Sequence, residues 1–279
     1  MKRPDLHLHS TASDGVLSPG QLVEEAARIG LTHIALTDHD TMAGVEELRR
    51  ASLPLTLIPG VELSMRDMHG LHLLGYGLGQ GNGLRAVLLR QQEERLQRAM
   101  AIFRRLEGMG MSLQAEEVCR ACAGTVGRPQ IARAMQQAGY VESVAEAFDR
   151  YLGEGKPAYV PYERLCIREA LSLLRQNGFV PVLAHPCELK LEDRHLRILL
   201  AKWKNEGLLG VEVYHPSAAG HGYEVLDRMA RELGLLVTGG SDFHQPKDKH
   251  GAIGSMLACW PDPETDLNAL KEKLDEEKC

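Results

Sequence analysis

Two histidines one residue apart stand in Asp5-Leu6-His7-Leu8-His9-Ser10. They point the same way only if the backbone is extended, because side chains alternate along a strand with a period of two. Leu6 and Leu8 then face a core, and His7 and His9 share the opposite face. Neutral imidazoles held in parallel on a rigid strand bind metal well. The hexapeptide therefore predicts a strand at the start of the chain and a metal-dependent enzyme built around it.

Apolar runs and helical patterns alternate after it. Ser18-Pro19 opens a helix, with Ser18 as N-cap and Pro19 at the first helical position. Residues 32–37 read as a second strand, followed by a helix near 41–51. Residues 55–58 form a third strand that ends at Pro59-Gly60-Val61-Glu62, and 71–74 a short fourth. From about Leu84 to Tyr151, β-branched runs almost vanish. Arg, Gln, Glu, Ala, Met and Leu recur there at helical spacing, which predicts three or four helices. The alternation then returns, with strands at 179–183, 209–213 and 235–238. Helices are expected at 167–177, 192–206, 222–234 and 264–277.

Strands separated by helices imply a mainly parallel sheet. About seven strands, with no glycine-rich phosphate turn, favour a closed or nearly closed β/α barrel over a doubly wound sheet. The expected division is a barrel formed by 1–83 and 160–279, with 84–159 as an inserted helical subdomain.

A hydrophobic share of 44% and a charged share of 25% are those of a globular protein. No run of about 18 apolar residues predicts a membrane span, and no apolar stretch follows Lys2 and Arg3 to suggest a secretory signal. The six cysteines are scattered without a disulfide framework, which fits free thiols in a reducing cytoplasm. Cys119-x-x-Cys122 lacks the second pair that a thiolate zinc site needs. The net charge of −6 disfavours a long nucleic acid held along a basic track. It is compatible with a small or end-bound anionic substrate, because bound cations reverse the local field.

Ligand-type residues gather at the strand ends. His7, His9, Asp38-His39, Glu62, His72, His185, Asp242 and His244 lie in or just after expected strands. In a barrel these ends meet at one mouth. Any one of them alone reads as an ordinary hydrogen-bonded polar residue; Asp14-Gly15 reads as a turn, and Ser241-Asp242 as a helix cap. The coincidence over several unrelated strands is what argues for a site. His33 within a strand, His69 before Gly70 and His195 within a helix are set aside. Imidazole mixed with carboxylate suits Mn, Fe or Zn rather than a structural thiolate site. The groups exceed one ion's needs, so two or three divalent cations are expected, with Glu62 able to bridge. Paired cations suit phosphoester hydrolysis.

Taken together, these residues resemble the PHP (polymerase and histidinol phosphatase) family. The matching segments are D-L-H-L-H-S-T-A-S-D-G at 5–15, L-T-D-H-D-T at 36–41, P-G-V-E at 59–62, H-L-L-G-Y-G at 72–77, A-H-P at 184–186 and G-S-D-F-H at 240–244. The resemblance implies a distorted seven-stranded β/α barrel. It also implies three cation sites: His7, His9, Glu62 and Asp242; Glu62, His72 and His185; and Asp14, His39 and His244. Asp14, His39, Glu62 and Asp242 would form the catalytic set, with a hydroxide bridging two metals attacking phosphorus, and manganese is the expected ion.

T-D-H-D-T, the helical insert, G-R-P at 127–129 and G-K-P-A-Y-V at 155–160 resemble the stand-alone phosphoesterases of the family. Some of these remove the 3′-phosphate of nucleoside 3′,5′-bisphosphates, and others trim short RNA from its 5′ end. Arg128 would be a fork for a substrate phosphate, with Lys156, Tyr159 and His215 as further substrate contacts. The subgroup usually has a histidine two residues after that arginine, and this chain has Gln130. The expected partner is a small phosphorylated nucleotide or a short RNA end, with no long duplex and no membrane. Competing readings are a histidinol-phosphate phosphatase, a polymerase-associated proofreading module, and a regulatory binding protein with a relic metal site.

Overall fold

A computed structural model describes residues 2–79, 83–121, 126–161, 163–220, 222–246 and 251–277. Cys122, His221 and His250 lie outside these residues. Seven strands form one sheet in sequence order: β1 (Pro4–Leu8), β2 (His33–Leu36), β3 (Thr56–Ser64), β4 (His72–Tyr76), β5 (Val180–Leu183), β6 (Gly210–Tyr214) and β7 (Leu236–Gly239). The first and last strands approach each other past their ends. Asp242 N–H donates to the His7 carbonyl (2.9 Å), and His9 N–H donates to the Phe243 carbonyl (3.1 Å). The result is the nearly closed barrel that the strand count predicts.

Every strand pairing is parallel except those of β4, which runs antiparallel to both β3 and β5. The reason lies in the connection. Only residues 65–71 join β3 to β4, too few for the crossover that a parallel neighbour requires. One consequence bears on the site. The start of β4, not its end, lies beside the end of β3, with Ser64 opposite His72. His72 thus opens its strand and still reaches the mouth where the other strands end.

Helices α1 (Pro19–Arg28) and α2 (Ala43–Leu48) follow β1 and β2. Ser18 caps α1 as expected: Gln21 N–H donates to Ser18 Oγ, and Gln21 Oε1 accepts from Ser18 N–H. Leu8, Leu22, Ala26, Ile34, Leu36 and Val45 pack between these helices and the sheet. Between β4 and β5 come α3 (Gly83–Gly108), α4 (Ala115–Ala121), α5 (Arg128–Gln137) and α6 (Val144–Ala147). The last continues into a wider helical turn over Phe148–Leu152. Ile102, Phe103, Leu106, Ile131, Met135 and Leu152 are buried in a cluster of this segment's own. Helix α3 is nevertheless rooted in the barrel. Leu84 and Leu88 belong to the barrel core, and Leu84 N–H donates to Asn177 Oδ1. Helices α7 (Ile167–Gln176), α8 (Asp193–Asn205), α9 (Tyr223–Glu232) and α10 (Pro263–Glu276) complete the β/α alternation.

Cys119 on α4 is a half-buried free thiol. Among the described residues no helix is long and apolar enough to cross a membrane.

Backbone strain concentrates at the mouth. Asp40, His185 and Asp242 all adopt positive φ (50°, 27° and 52°). Non-glycine residues held so cost of order 1–3 kcal/mol each and persist where the surroundings over-determine them. Gly240 shows how tight the seam between β7 and β1 is. A Cβ there would lie 2.3 Å from His7 Cβ, so only glycine lets the two segments approach.

Candidate metal centre

The mouth of the barrel brings together every expected cation ligand. His7 and His9 are fully buried and point the same way, as their spacing requires. Their Nε2 atoms are 3.1 Å apart. Glu62 Oε2 lies 3.4 Å from His7 Nε2 and 3.2 Å from His9 Nε2. Asp242 Oδ1 lies 3.3 Å and 3.1 Å from the same two atoms. Five of the six distances among these four atoms lie between 3.1 and 3.4 Å, and all four lie within 4.8 Å of one another, close enough to share a cation.

The other oxygen of Glu62, Oε1, faces His72 Nδ1 (2.8 Å) and His185 Nε2 (2.9 Å). His39 Nδ1 is 2.9 Å from Glu62 Oε2, and its Nε2 turns toward Asp14 Oδ2 at 3.9 Å. Asp14 Oδ1 is 3.1 Å from His244 Nε2 and 3.9 Å from His9 Nδ1. Three groups of ligand atoms therefore lie close enough to share a cation: His7, His9, Glu62 and Asp242; His9, Asp14, His39 and His244; and His39, Glu62 and His72. The first is the set expected from sequence. In the second, His9 joins the expected trio of Asp14, His39 and His244. In the third, His39 stands with Glu62 and His72 where His185 was expected, while His185 Nε2 meets the same Glu62 oxygen as His72.

The donor set fits divalent cations on a second ground. Asp14 Oδ1, His39 Nδ1 and Glu62 Oε2 are buried without a hydrogen bond of proper geometry. Buried polar atoms are normally satisfied. These three atoms lie within 3.9 Å of other ligand atoms yet lack a partner, the arrangement expected around a common positive charge.

Electrostatics shows what the ligands do without a cation. Burial opposes charge on His7, but Glu212, Asp242 and Glu62 outweigh it and hold its pKa well above the usual histidine range. Burial likewise opposes charge on His185, and Glu62, Asp242 and Glu188 raise its pKa to about 9. His9, His39 and His244 are also shifted upward against burial. Only for His72 does burial prevail and lower the pKa. Burial would raise Glu62, yet His39, His72, His7 and His185 hold its carboxyl well below the usual range.

An imidazole must be neutral to ligate, so cation uptake expels protons from the raised histidines. Cation affinity is expected to weaken steadily as pH falls from about 8 to about 6. Calorimetry in buffers of different ionisation enthalpy should show net proton release on uptake; no release, or an affinity flat across that range, would contradict this account.

Residues behind the ligands hold them in place. Glu212, fully buried on β6, accepts from His7 Nδ1 (3.0 Å) and from the backbone N–H of His185 (2.8 Å). It fixes which nitrogen of His7 faces the centre. Asp38 accepts from Ser10 N–H, Ser10 Oγ and Ser13 Oγ, which shapes the loop leading to Asp14. Asp5 accepts from Ser241 N–H, Ser241 Oγ and Gly254 N–H and so anchors the segment before Asp242. His215 is buried in the floor of the site, with Nε2 3.4 Å from Asp242 Oδ2 and Nδ1 held by Ser217.

A cleft of about 150 Å³ is lined by Asp14, His39 and His72 together with Arg95, Arg98, Arg128 and Arg164. Arg128 stands 5.5 Å from the rings of both Phe148 and Tyr159 and donates to the Leu152 carbonyl. Arg98 donates to the Val160 carbonyl, and Arg95 pairs with Asp40. The cleft continues into a second space of about 270 Å³ that shares Arg98, Arg128, Phe148 and Arg164 and adds Tyr159 and Met65. Lys156 stands elsewhere, half exposed, 3.7 Å from Asp149.

Sequence reasoning did not single out Glu212, Arg95, Arg98 or Arg164. A charged residue inside the buried strand G-V-E-V-Y was the available signal for Glu212. The arginines carry no local signal, because the packing of the helical segment sets their convergence.

Comparisons with known proteins agree with this geometry. The PHP domain family matches residues 5–160. The chain is 37% identical over 249 residues to the 5′-3′ exoribonuclease Rnm of Escherichia coli, covering 87% of this chain and 85% of that protein. It is 30% identical over 263 residues to the 3′,5′-nucleoside bisphosphate phosphatase of Chromobacterium violaceum, with 91% of each covered. Among solved structures, an amidohydrolase from Chromobacterium violaceum with bound sulfate and no metal superposes with a TM-score of 0.81 at 29% identity, over 97% of this chain and 96% of that one. The motifs, the nearly closed seven-stranded barrel, the convergent ligands and these relatives together place the chain in the PHP family of metal-dependent phosphoesterases.

Proposed function

We propose that the protein hydrolyses phosphate esters of nucleotides, releasing the 3′-phosphate of nucleoside 3′,5′-bisphosphates, trimming short RNA from its 5′ end, or both, with manganese as the working ion. The observation that carries this reading is the cleft that four arginines line together with Asp14, His39 and His72. Guanidinium forks suit the several oxygens of a phosphate. A space of about 150 Å³ that continues into a second suits a mononucleotide or a strand end and is too small for a double helix. The relatives named as a nucleoside bisphosphate phosphatase and an exoribonuclease support the same substrate class.

Divalent cations bound here supply Lewis acidity and a water of lowered pKa. The chain's own residues do the rest. Glu62 presents one oxygen to the His7–His9 side and the other to the His72–His185 side. The arginine wall orients the phosphoryl group and offsets charge that develops on its oxygens. Phe148 and Tyr159 each place a ring 5.5 Å from the Arg128 guanidinium and help to hold it in place.

The test measures turnover of a nucleoside 3′,5′-bisphosphate, a 5′-phosphorylated oligoribonucleotide and histidinol phosphate with Mn²⁺ present. The nucleotide substrates are expected to lead, with turnover abolished by a chelator and restored by Mn²⁺. Arg128→Ala is expected to raise KM about ten- to a hundredfold, the loss of one charged hydrogen-bonding partner. Preference for histidinol phosphate, or an unchanged KM in Arg128→Ala, would defeat the proposal.

A further inference from the structure

Helix α5 reaches across from the helical segment and takes hold of the backbone around one cation ligand. Gln130 Nε2 donates to the Ser13 carbonyl at 3.1 Å. One turn later, Arg133 Nη1 donates to the Asp14 carbonyl at 3.3 Å. These two carbonyls belong to the peptide groups on either side of the Asp14 Cα. Both planes that orient the Asp14 side chain are thereby held from the same helix. Gln130 is itself fixed, because its Oε1 accepts from Gly127 N–H at 3.0 Å and closes the first turn of α5. The helix is anchored by Ile131, Ala132 and Met135, all buried.

We infer that Gln130, seconded by Arg133, is a positioning residue that sets Asp14 for cation binding with His9, His39 and His244. The inference rests on the reading of those four residues as a cation site. The carboxylate of Asp14 stands on a loop, with Oδ1 3.1 Å from His244 Nε2 and Oδ2 3.9 Å from His39 Nε2. Loops hold ligands less accurately than helices or strands do, and the two hydrogen bonds from α5 lend this loop the rigidity of a helix. Removing such outer support typically costs about ten- to a hundredfold in metal affinity. The same turn carries Arg128, so one rigid element sets the spacing between the phosphate-facing wall and the Asp14 side of the centre.

Gln130→Glu separates the two bonds of Gln130. Its carboxylate still accepts from Gly127 N–H, but it has no N–H for the Ser13 carbonyl. An added negative charge alone would strengthen cation binding, so a loss of affinity reports the missing donor.

The experiment titrates the purified full chain with Mn²⁺ and follows free Mn²⁺ by electron paramagnetic resonance. Wild type, Asp14→Asn, Gln130→Glu and Arg133→Met are compared, and thermal stability is recorded alongside. Expected in Gln130→Glu and Arg133→Met is a loss of about tenfold or more in the affinity of the Mn²⁺ that Asp14→Asn removes. The remaining Mn²⁺ should bind as in wild type, with little change in Tm. In both variants kcat should fall at limiting Mn²⁺ and recover in excess Mn²⁺, and in Arg133→Met, outside the lining of the cleft, KM should stay unchanged. If Asp14→Asn leaves the titration unaltered, the cation-site reading itself fails. If Asp14→Asn loses one Mn²⁺ while Gln130→Glu and Arg133→Met titrate as wild type, the positioning role alone fails. A uniform weakening of all Mn²⁺ together with a fall in Tm also overturns it, as a general loss of structure.

Discussion

Glu62→Gln is expected to lower phosphoesterase turnover by at least about a thousandfold, equivalent to some 4 kcal/mol. The reason is its central place. The two carboxylate oxygens of Glu62 face His7, His9 and His39 on one side and His72 and His185 on the other, all within 3.4 Å. Glu62 meets imidazole nitrogens of both groups with its own two oxygens. The carboxamide replaces one anionic oxygen by an N–H₂ group that repels a cation and removes the charge that lets two ions sit close together. Bound metal measured by elemental analysis should fall with turnover. Glu62→Asp is the companion variant: it keeps the charge but is one methylene shorter, so it cannot meet both groups at once. Full metal content with full turnover in either variant would remove Glu62 from the centre of the mechanism.

The second large effect is expected at Glu212, which is no cation ligand in this arrangement. Glu212→Ala deprives His7 Nδ1 and the His185 backbone N–H of their buried acceptor. Cation affinity should fall about ten- to a hundredfold, the usual effect of removing a carboxylate behind a metal-bound histidine. The cation-free protein should lose about 3–5 kcal/mol of stability where His7 is charged, because an imidazolium is left buried without its partner. The sign with pH follows from the raised pKa of His7. Its stabilising effect is complete below the ordinary histidine range and fades as pH rises through the raised value. The gap between wild type and Glu212→Ala, measured by denaturant unfolding with a chelator present, should therefore be widest at acidic pH and shrink on the alkaline side. A gap that widens with pH would show that the pair does not act through charge. Glu212→Gln keeps an acceptor and should lie between the two.

Much of this was legible in the sequence, for identifiable reasons. His7 and His9 share a face because a strand has no other way to present them. Glu62, His185, Asp242 and His244 converge because strand ends in a barrel have only one mouth to meet at. Ser18 and Pro19 announced α1 through cap chemistry that needs no tertiary context. What the sequence left unread depends on distant packing. The antiparallel direction of β4 follows from a short link whose meaning appears only once its neighbours are known. Arg95, Arg98 and Arg164 become a wall because α3 and the chain before α7 are brought beside the barrel mouth, and no spacing rule encodes that. Gln130 read as a substitution within a phosphate motif; in the fold its amide spans Gly127 and Ser13.

The seam between β1 and β7 has a topological consequence. The group of His7, His9, Glu62 and Asp242 takes His7 from one side of that seam and Asp242 from the other, residues 235 positions apart (242 − 7). An ion held between them ties nearly the whole chain into a ring. Closing so long a loop costs entropy that grows only logarithmically with its length, and a reversible tie across it restricts the unfolded chain in the way a disulfide would. Binding free energy would then also serve as folding free energy, and the same ions that would equip the mouth for chemistry would act as a clasp across the seam of the barrel.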